Sequence, residues 1–208
     1  MKEKVKKIIE ILTKEYPNVK TTDLNFSNPL ELLVATILSA QCTDKRVNQV
    51  TQSLFKKYKS VEDYANADIK TFENEIRQTG FYKNKARNII RSAKMILEKF
   101  NGKVPDSMEK LLQLPGVARK TANIVLTCAF GKIEGIPVDT HVRRLAQRLQ
   151  LTKNDDPVKI EQDLMKLVDK KYWGKFSFLL IRHGREICNA KKPKCNECAI
   201  KSLCPSKI

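Results

Sequence analysis

Apolar residues recur along most of the chain at three- and four-residue intervals. Val5, Ile8, Ile9 and Leu12 make one such stripe, and Leu30, Leu33, Val34, Ile37 and Leu38 another. This is the period of a helix that buries one face. The same spacing predicts further helices over 45–58, 68–78, 83–100, 107–113, 119–130, 140–149, 157–168 and 173–187. The alternation of a half-buried strand is nearly absent, so ten or so short helices make an all-α protein.

Breakers separate these stretches: Asn28-Pro29, Thr79-Gly80, Asn101-Gly102, Pro115-Gly116, and Gly135 with Pro137. No long linker, low-complexity tract or fixed-period repeat interrupts them, which disfavours a solenoid. Near Cys188 the apolar spacing stops and a cysteine- and lysine-rich tail begins.

The 208 residues allow one large domain or two small ones. The longest uncharged stretches, 32–43 and 121–131, fall short of the ~18 apolar residues of a membrane span. Glu10, Lys14 and Glu15 interrupt the N-terminal apolar run, so it reads as an amphipathic helix and not a signal peptide. The protein is expected to stay in the cytoplasm, where six cysteines remain reduced and favour metal or cluster ligation over disulfides.

Forty Lys and Arg against 23 Asp and Glu leave a net charge of +17. Nucleic acid and anionic membrane are the two partners such a charge suits, with solubility as the plain alternative. The charge is grouped: residues 83–120 hold ten basic residues and three acidic ones, Glu98, Asp106 and Glu109. That grouping reads as a basic face.

Four thiols follow the pattern Cys188-x6-Cys195-x2-Cys198-x5-Cys204. So short a segment encloses little core and needs a metal or cluster as its organiser. Four thiolates suit tetrahedral zinc or a [4Fe-4S] cluster. Zinc sites usually offer two close pairs, and only Cys195 and Cys198 are one, so the spacing leans to the cluster and leaves zinc open. Cys42 and Cys128 lie in apolar helical stretches and read as small buried core residues.

Residues 111–123, LLQLPGVARKTAN, read as a helix, a tight turn and a second helix. Pro115 and Gly116 make the turn, Val117 plugs between the helices, and the N–H groups from Gly116 to Ala118 are left at a helix N-terminus, which suits a backbone phosphate. A plain helical hairpin is the alternative, and Arg119 and Lys120 tilt the reading toward DNA.

Together these elements resemble the endonuclease III family of DNA glycosylases, from about Pro29 to Cys204. The resemblance includes LSAQCTD at 38–44, GFYKNKA at 80–86, 114–123, VDTHV at 138–142 and the cysteine spacing. It implies an all-α, two-lobed helix-hairpin-helix fold: a six-helix domain over 22–132, and a discontinuous helical domain from 1–21 and 133–208 with a [4Fe-4S] loop at 188–204. It implies a bifunctional DNA glycosylase and AP lyase that excises damaged pyrimidines from duplex DNA in base excision repair. The partner is then double-stranded DNA carrying damaged bases or abasic sites, at the nucleoid and not a membrane, and the protein is expected to be monomeric.

The resemblance makes Lys120 the nucleophile and Asp139 the catalytic aspartate, facing the DNA groove from opposite lobes. A lysine amine attacks C1′ of the deoxyribose, the base leaves, and the Schiff base permits β-elimination of the 3′ phosphate. A lysine near pKa 10.4 is only about 0.04% neutral at pH 7, so its surroundings must favour the neutral amine. Arg119 and the helix N-terminus act that way; Asp139 opposes them but stabilises positive charge on the sugar. From residue type alone Lys120 is a solvated surface lysine, and Asp139 an N-cap of the helix starting at Thr140.

Gln41 and Phe81 match the family's gap-filling positions, which take the space of an extruded nucleotide. Phe81 stands where leucine is frequent, and it reads equally as a core aromatic. Gly116, Val117, Ala118 and Arg119 would hold phosphate, with Ala118 replacing a glycine. Asp44 and His141 match base-pocket positions; as plain residues they are an N-cap and a structural histidine. Lys191, Lys192 and Lys194 fall where the family's loop meets the DNA backbone, and Cys188, Cys195, Cys198 and Cys204 are the cluster ligands. An adenine-mismatch glycosylase, which typically lacks the lysine, a DNA-binding module without catalysis, and an electron carrier are the competing readings.

Overall fold

A computed structural model describes residues 1–19 and 21–206. Among them eleven α-helices run in chain order: α1 Lys2–Glu15, α2 Pro29–Leu38, α3 Asp44–Lys57, α4 Val61–Ala65, α5 Ile69–Glu75, α6 Tyr82–Phe100, α7 Met108–Leu111, α8 Arg119–Phe130, α9 Thr140–Arg148, α10 Pro157–Leu167 and α11 Trp173–Glu186. No described residue is in a strand. Among the described residues no helix is long and apolar enough to cross a membrane.

Residues Thr22–Lys132 form one compact unit. Its centre is α2, which buries every residue from Leu32 to Leu38 and packs on α3, α6 and α8. A helix apolar on all sides belongs in the middle of a core. Asn28 accepts a hydrogen bond from the Glu31 N–H and Pro29 opens the first turn, fixing where α2 starts. The amphipathic α6 lays Ala86, Ile89, Ala93 and Ile96 against the same core. Beside it Tyr58 and Tyr64 stack at 5.1 Å, with Phe72 edge-on to both.

Residues Met1–Thr21 and Ile133–Ile208 form the second unit. The α1 stripe of Val5, Ile8, Ile9 and Leu12 is buried, with α1 against α11, while α9 packs on α10 and α11. Phe176, Leu179 and Leu180 of α11 complete that core. Cys188, Cys198, Leu203 and Cys204 pack against its border, so the tail is continuous with an apolar surface.

Three expectations need correction. Helix α4 is absent from the periodicity reading because five residues show too little of a helical repeat. Its signal is the cap, where Ser60 and Asp63 exchange side-chain and backbone hydrogen bonds. The helix expected over 68–78 is Ile69–Glu75 followed by a 3-10 turn, Arg77–Thr79. Cys42 and Cys128 are only partly buried, and Cys42 lies in the turn after α2, which ends at Leu38.

Candidate functional site

The hairpin is anchored from below. Leu111, Leu114 and Val117 are buried in the core of the 22–132 unit, and Ser92 of α6 donates to the Pro115 carbonyl at 2.9 Å. Gly116 has φ +79°, and a Cβ there would stand 2.8 Å from Asn88 Nδ2 of α6. Both the turn and the close approach exclude a side chain. Gly116 and Ala118 are exposed, and Ala118, the N-cap residue of α8, makes no side-chain cap hydrogen bond. Its first-turn N–H groups therefore present partial positive charge at the surface. Lys120, the second residue of α8, is half-buried beside Arg119.

Asp139 is the N-cap of α9: its Oδ1 accepts from the N–H groups of His141 (2.8 Å) and Val142 (2.9 Å). Both bonds go to one oxygen of a half-buried carboxylate. The strand of chain before it is pinned, with Ile136 and Val138 buried and Ser177 Oγ donating to the Pro137 carbonyl at 2.5 Å. His141 Nδ1 lies 3.1 Å from Arg144 Nη2, and a Cβ on Gly184 would press on both. Burial, then Arg144 and Arg185, hold the His141 imidazole below its ordinary value, against Asp139.

Gln41 and Phe81 share a conformation the sequence does not announce. Both are left-handed, at φ +54° and +49°, and both are exposed, Phe81 by 62%. Phe81 is therefore no core aromatic. Asp44 is not the N-cap of α3 but its first helical residue; Thr43 caps it through the Arg46 N–H. Lys85, one of the ten basic residues assigned to a surface face, is buried instead, and donates to the carbonyls of Leu38 and Thr79.

Cys188, Cys195, Cys198 and Cys204 line one cavity together with Arg148, Ile187, Pro193, Lys194, Lys201 and Ser206. None of the four is in a disulfide. Among the described residues no three His, Cys, Asp or Glu side chains converge as they would on a single ion. Burial and the three neighbouring cysteines push the Cys198 thiol up, so joint ionisation requires a compensating cation. Two nitrogens stand at these sulfurs: Arg148 Nη1 donates to Cys188 Sγ at 3.2 Å, and His183 Nε2 is 3.3 Å from Cys198 Sγ. His183 is fully buried, its pKa lowered by burial to about 4, and its Nδ1 meets the Tyr16 hydroxyl at 3.0 Å. Arg144 and Arg148 also donate to the carbonyls of Cys188, Asn189 and Ala190. None of these second contacts was visible in the spacing. Lys191, Lys192 and Lys194 are exposed, and Lys194 stands 3.8 Å from Glu197.

Comparison with known proteins gives this arrangement a relationship. Residues 34–170 match the model of the HhH-GPD superfamily, described as base excision DNA repair proteins. An endonuclease III of Synechocystis sp. is 53% identical over 205 residues, covering 99% of this chain and 93% of that protein. A non-covalent endonuclease III–DNA complex superposes with a TM-score of 0.94 at 40% identity, covering 100% of this chain and 96% of that one. A trapped endonuclease III–DNA covalent intermediate, an estranged-adenine complex, gives 0.95 at 40% identity, with 100% and 97% covered. By family model, sequence and fold alike, the chain belongs to the endonuclease III family of the HhH-GPD superfamily of base excision DNA repair proteins.

Proposed function

We propose that the chain is a bifunctional DNA glycosylase and AP lyase of base excision repair, that it acts on damaged pyrimidines in duplex DNA, and that Lys120 is its nucleophile. The observation that carries the assignment is a half-buried lysine in the first turn of α8, directly after an exposed hairpin. The hairpin N–H groups hold a backbone phosphate, which fixes the lesion strand relative to the amine. The Lys120 nitrogen bonds to C1′ of the deoxyribose as the C1′–N bond to the base breaks, and the base leaves with the proton that the amine gives up. Protonation of the ring oxygen then opens the C1′–O4′ bond to give the Schiff base, which acidifies C2′, and loss of that proton expels the 3′ phosphate. Asp139, with one oxygen committed to its cap, stabilises the positive charge that develops on the sugar. Gln41 and Phe81 occupy the space the extruded nucleotide leaves, and Asp44 and His141 line the base pocket. Arg119, Lys191, Lys192 and Lys194 add phosphate contacts whose strength falls with salt.

The four cysteines fit a [4Fe-4S] cluster. Supporting this are one cavity shared by all four and the Arg148 guanidinium donating to Cys188 Sγ. Cys188, Cys195, Cys198 and Cys204 would hold it, and when bound it supplies a rigid, negatively charged anchor for the loop. The two compact units act as the two domains of a monomer, working in the compartment that holds the DNA.

Borohydride trapping tests the nucleophile. Wild type on duplex DNA carrying thymine glycol or an abasic site is expected to give a covalent adduct that Lys120→Ala abolishes. DNA binding without any adduct from wild type would reduce the protein to a binding module. Absorbance near 400 nm tests the cluster, and a colourless protein with one zinc would overturn it.

A further inference from the structure

Among the described residues Lys85 is the one lysine or arginine that is buried, with 5% of its surface exposed. Withdrawing an ammonium from water is costly, and a core normally avoids it. Burial lowers its pKa, opposed by the neighbouring Cys42. The hydrogen bonds of Lys85 instead join two distant pieces of backbone: Nζ donates to Leu38 O at 2.8 Å and to Thr79 O at 2.7 Å.

Those carbonyls have specific places. Leu38 is the last residue of α2, three before Gln41, and Thr79 ends the 3-10 turn, two before Phe81. Each bond caps a helix C-terminus, where a cation is favoured by the orphan carbonyls. Beyond each cap a residue that is not glycine stands at positive φ, Gln41 in one turn and Phe81, directly after Gly80 at φ +68°, in the other, at roughly 1–3 kcal/mol of strain apiece. A surrounding structure must hold such residues in place. A second tie joins the same 3-10 turn to the first turn of α3, on the far side of Gln41, with Arg46 Nη1 donating to Gln78 Oε1 at 2.8 Å.

We infer that Lys85 is a positioning residue that locks the Gln41 turn and the Phe81 turn into one rigid piece, so that the two exposed side chains enter the duplex together. This rests on the assignment of Gln41 and Phe81 as gap fillers. A rigid pair loses no further entropy on insertion, whereas two independent loops must be ordered separately. The bulk of Lys85 within the core is not what matters; the two donated bonds are.

Lys85→Met keeps the stem and removes the donors. In single-turnover assays it is expected to slow excision and lyase cleavage in fully paired duplex by about tenfold or more. Cleavage of an abasic site in single-stranded DNA, where there is no gap to fill, should change less than about twofold. Gln41→Ala and Phe81→Ala should be non-additive in the wild-type background and additive in Lys85→Met. A folded Lys85→Met that cuts duplex at the wild-type rate, or loses both substrates equally, overturns the inference. If Gln41→Ala and Phe81→Ala leave duplex cleavage unchanged, the gap-filling assignment fails instead. Should Lys85→Met not fold, Gln78→Ala cuts the exposed second tie; it is expected to lower duplex cleavage selectively by about twofold, and equal loss on both substrates would overturn the coupling.

Discussion

The 22–132 unit and the cysteine tail solve the same problem, holding side chains at fixed positions on a surface, by opposite means. In the first, an apolar core extends to the base of each functional turn: Val117 within the hairpin, Leu38 before Gln41, Ala86 after Phe81. Local strain is then affordable, and Gly116, Gln41 and Phe81 all stand at positive φ. In the tail, only Ile200 is buried between Cys188 and Cys204, and order comes from Arg144, Arg148 and His183 reaching carbonyls and sulfurs. A segment built that way would depend on the cluster proposed for its thiols.

Removing that group should separate the two most sharply. After oxidative loss of the proposed cluster, or in Cys198→Ala, amides over 188–206 are expected to lose hydrogen-exchange protection by about a thousandfold. Amides of α2 and α6 should stay within about threefold. Equal losses in both would mean that the core of 22–132 also depends on the cluster. The converse perturbation is Phe72→Ala, which removes a fully buried ring packed on Tyr58 and Tyr64. It should cost about 3–5 kcal/mol, read from exchange of α6 amides, with the 400 nm absorbance per protein unchanged.

Arg148→Met probes the tail without touching a thiol. It deletes bonds to Cys188 Sγ, Asn189 O and Ala190 O, and should destabilise the loop by about 2 kcal/mol, seen as faster bleaching of the cluster by chelator. Gly116→Ala makes the matching change at the hairpin. A Cβ at φ +79° meeting Asn88 should cost roughly 1–3 kcal/mol and weaken duplex binding, while leaving the tail unaffected.

What could be read in the sequence follows the same division. Periodic apolar stripes show which stretches are helical, and the cysteine spacing and the Pro115-Gly116 turn stand out because they use residues with few other roles. Contacts formed by tertiary packing leave no such trace. Lys85 looks like any other basic residue between 83 and 120, and nothing local marks it as buried. Phe81 reads as apolar, yet its ring stands outside the core, 62% exposed. His183 falls on the α11 stripe, and only the meeting of α1 and α11 reveals Tyr16 as its partner.

The smallest effect concerns a group at the border between the apolar core of the second unit and its tail. His141 faces Arg144 and Arg185, which disfavour its cation, and Asp139 and the Gly184 backbone, which favour it; burial is the largest influence and sets the sign. The folded protein thus binds its proton at lower pH than the unfolded chain, whose histidine titrates near 6.5. Between those two values the unfolded state holds more protons. The contribution is therefore complete above about pH 6.5 and is lost as pH falls through the folded value. The His141 imidazole resonance should titrate below the free-histidine range, and His141→Gln should flatten that part of the stability profile. A midpoint at or above the free value would mean that Asp139 outweighs burial, and would make this end of α9 an anionic site in which His141 is charged beside the proposed catalytic carboxylate.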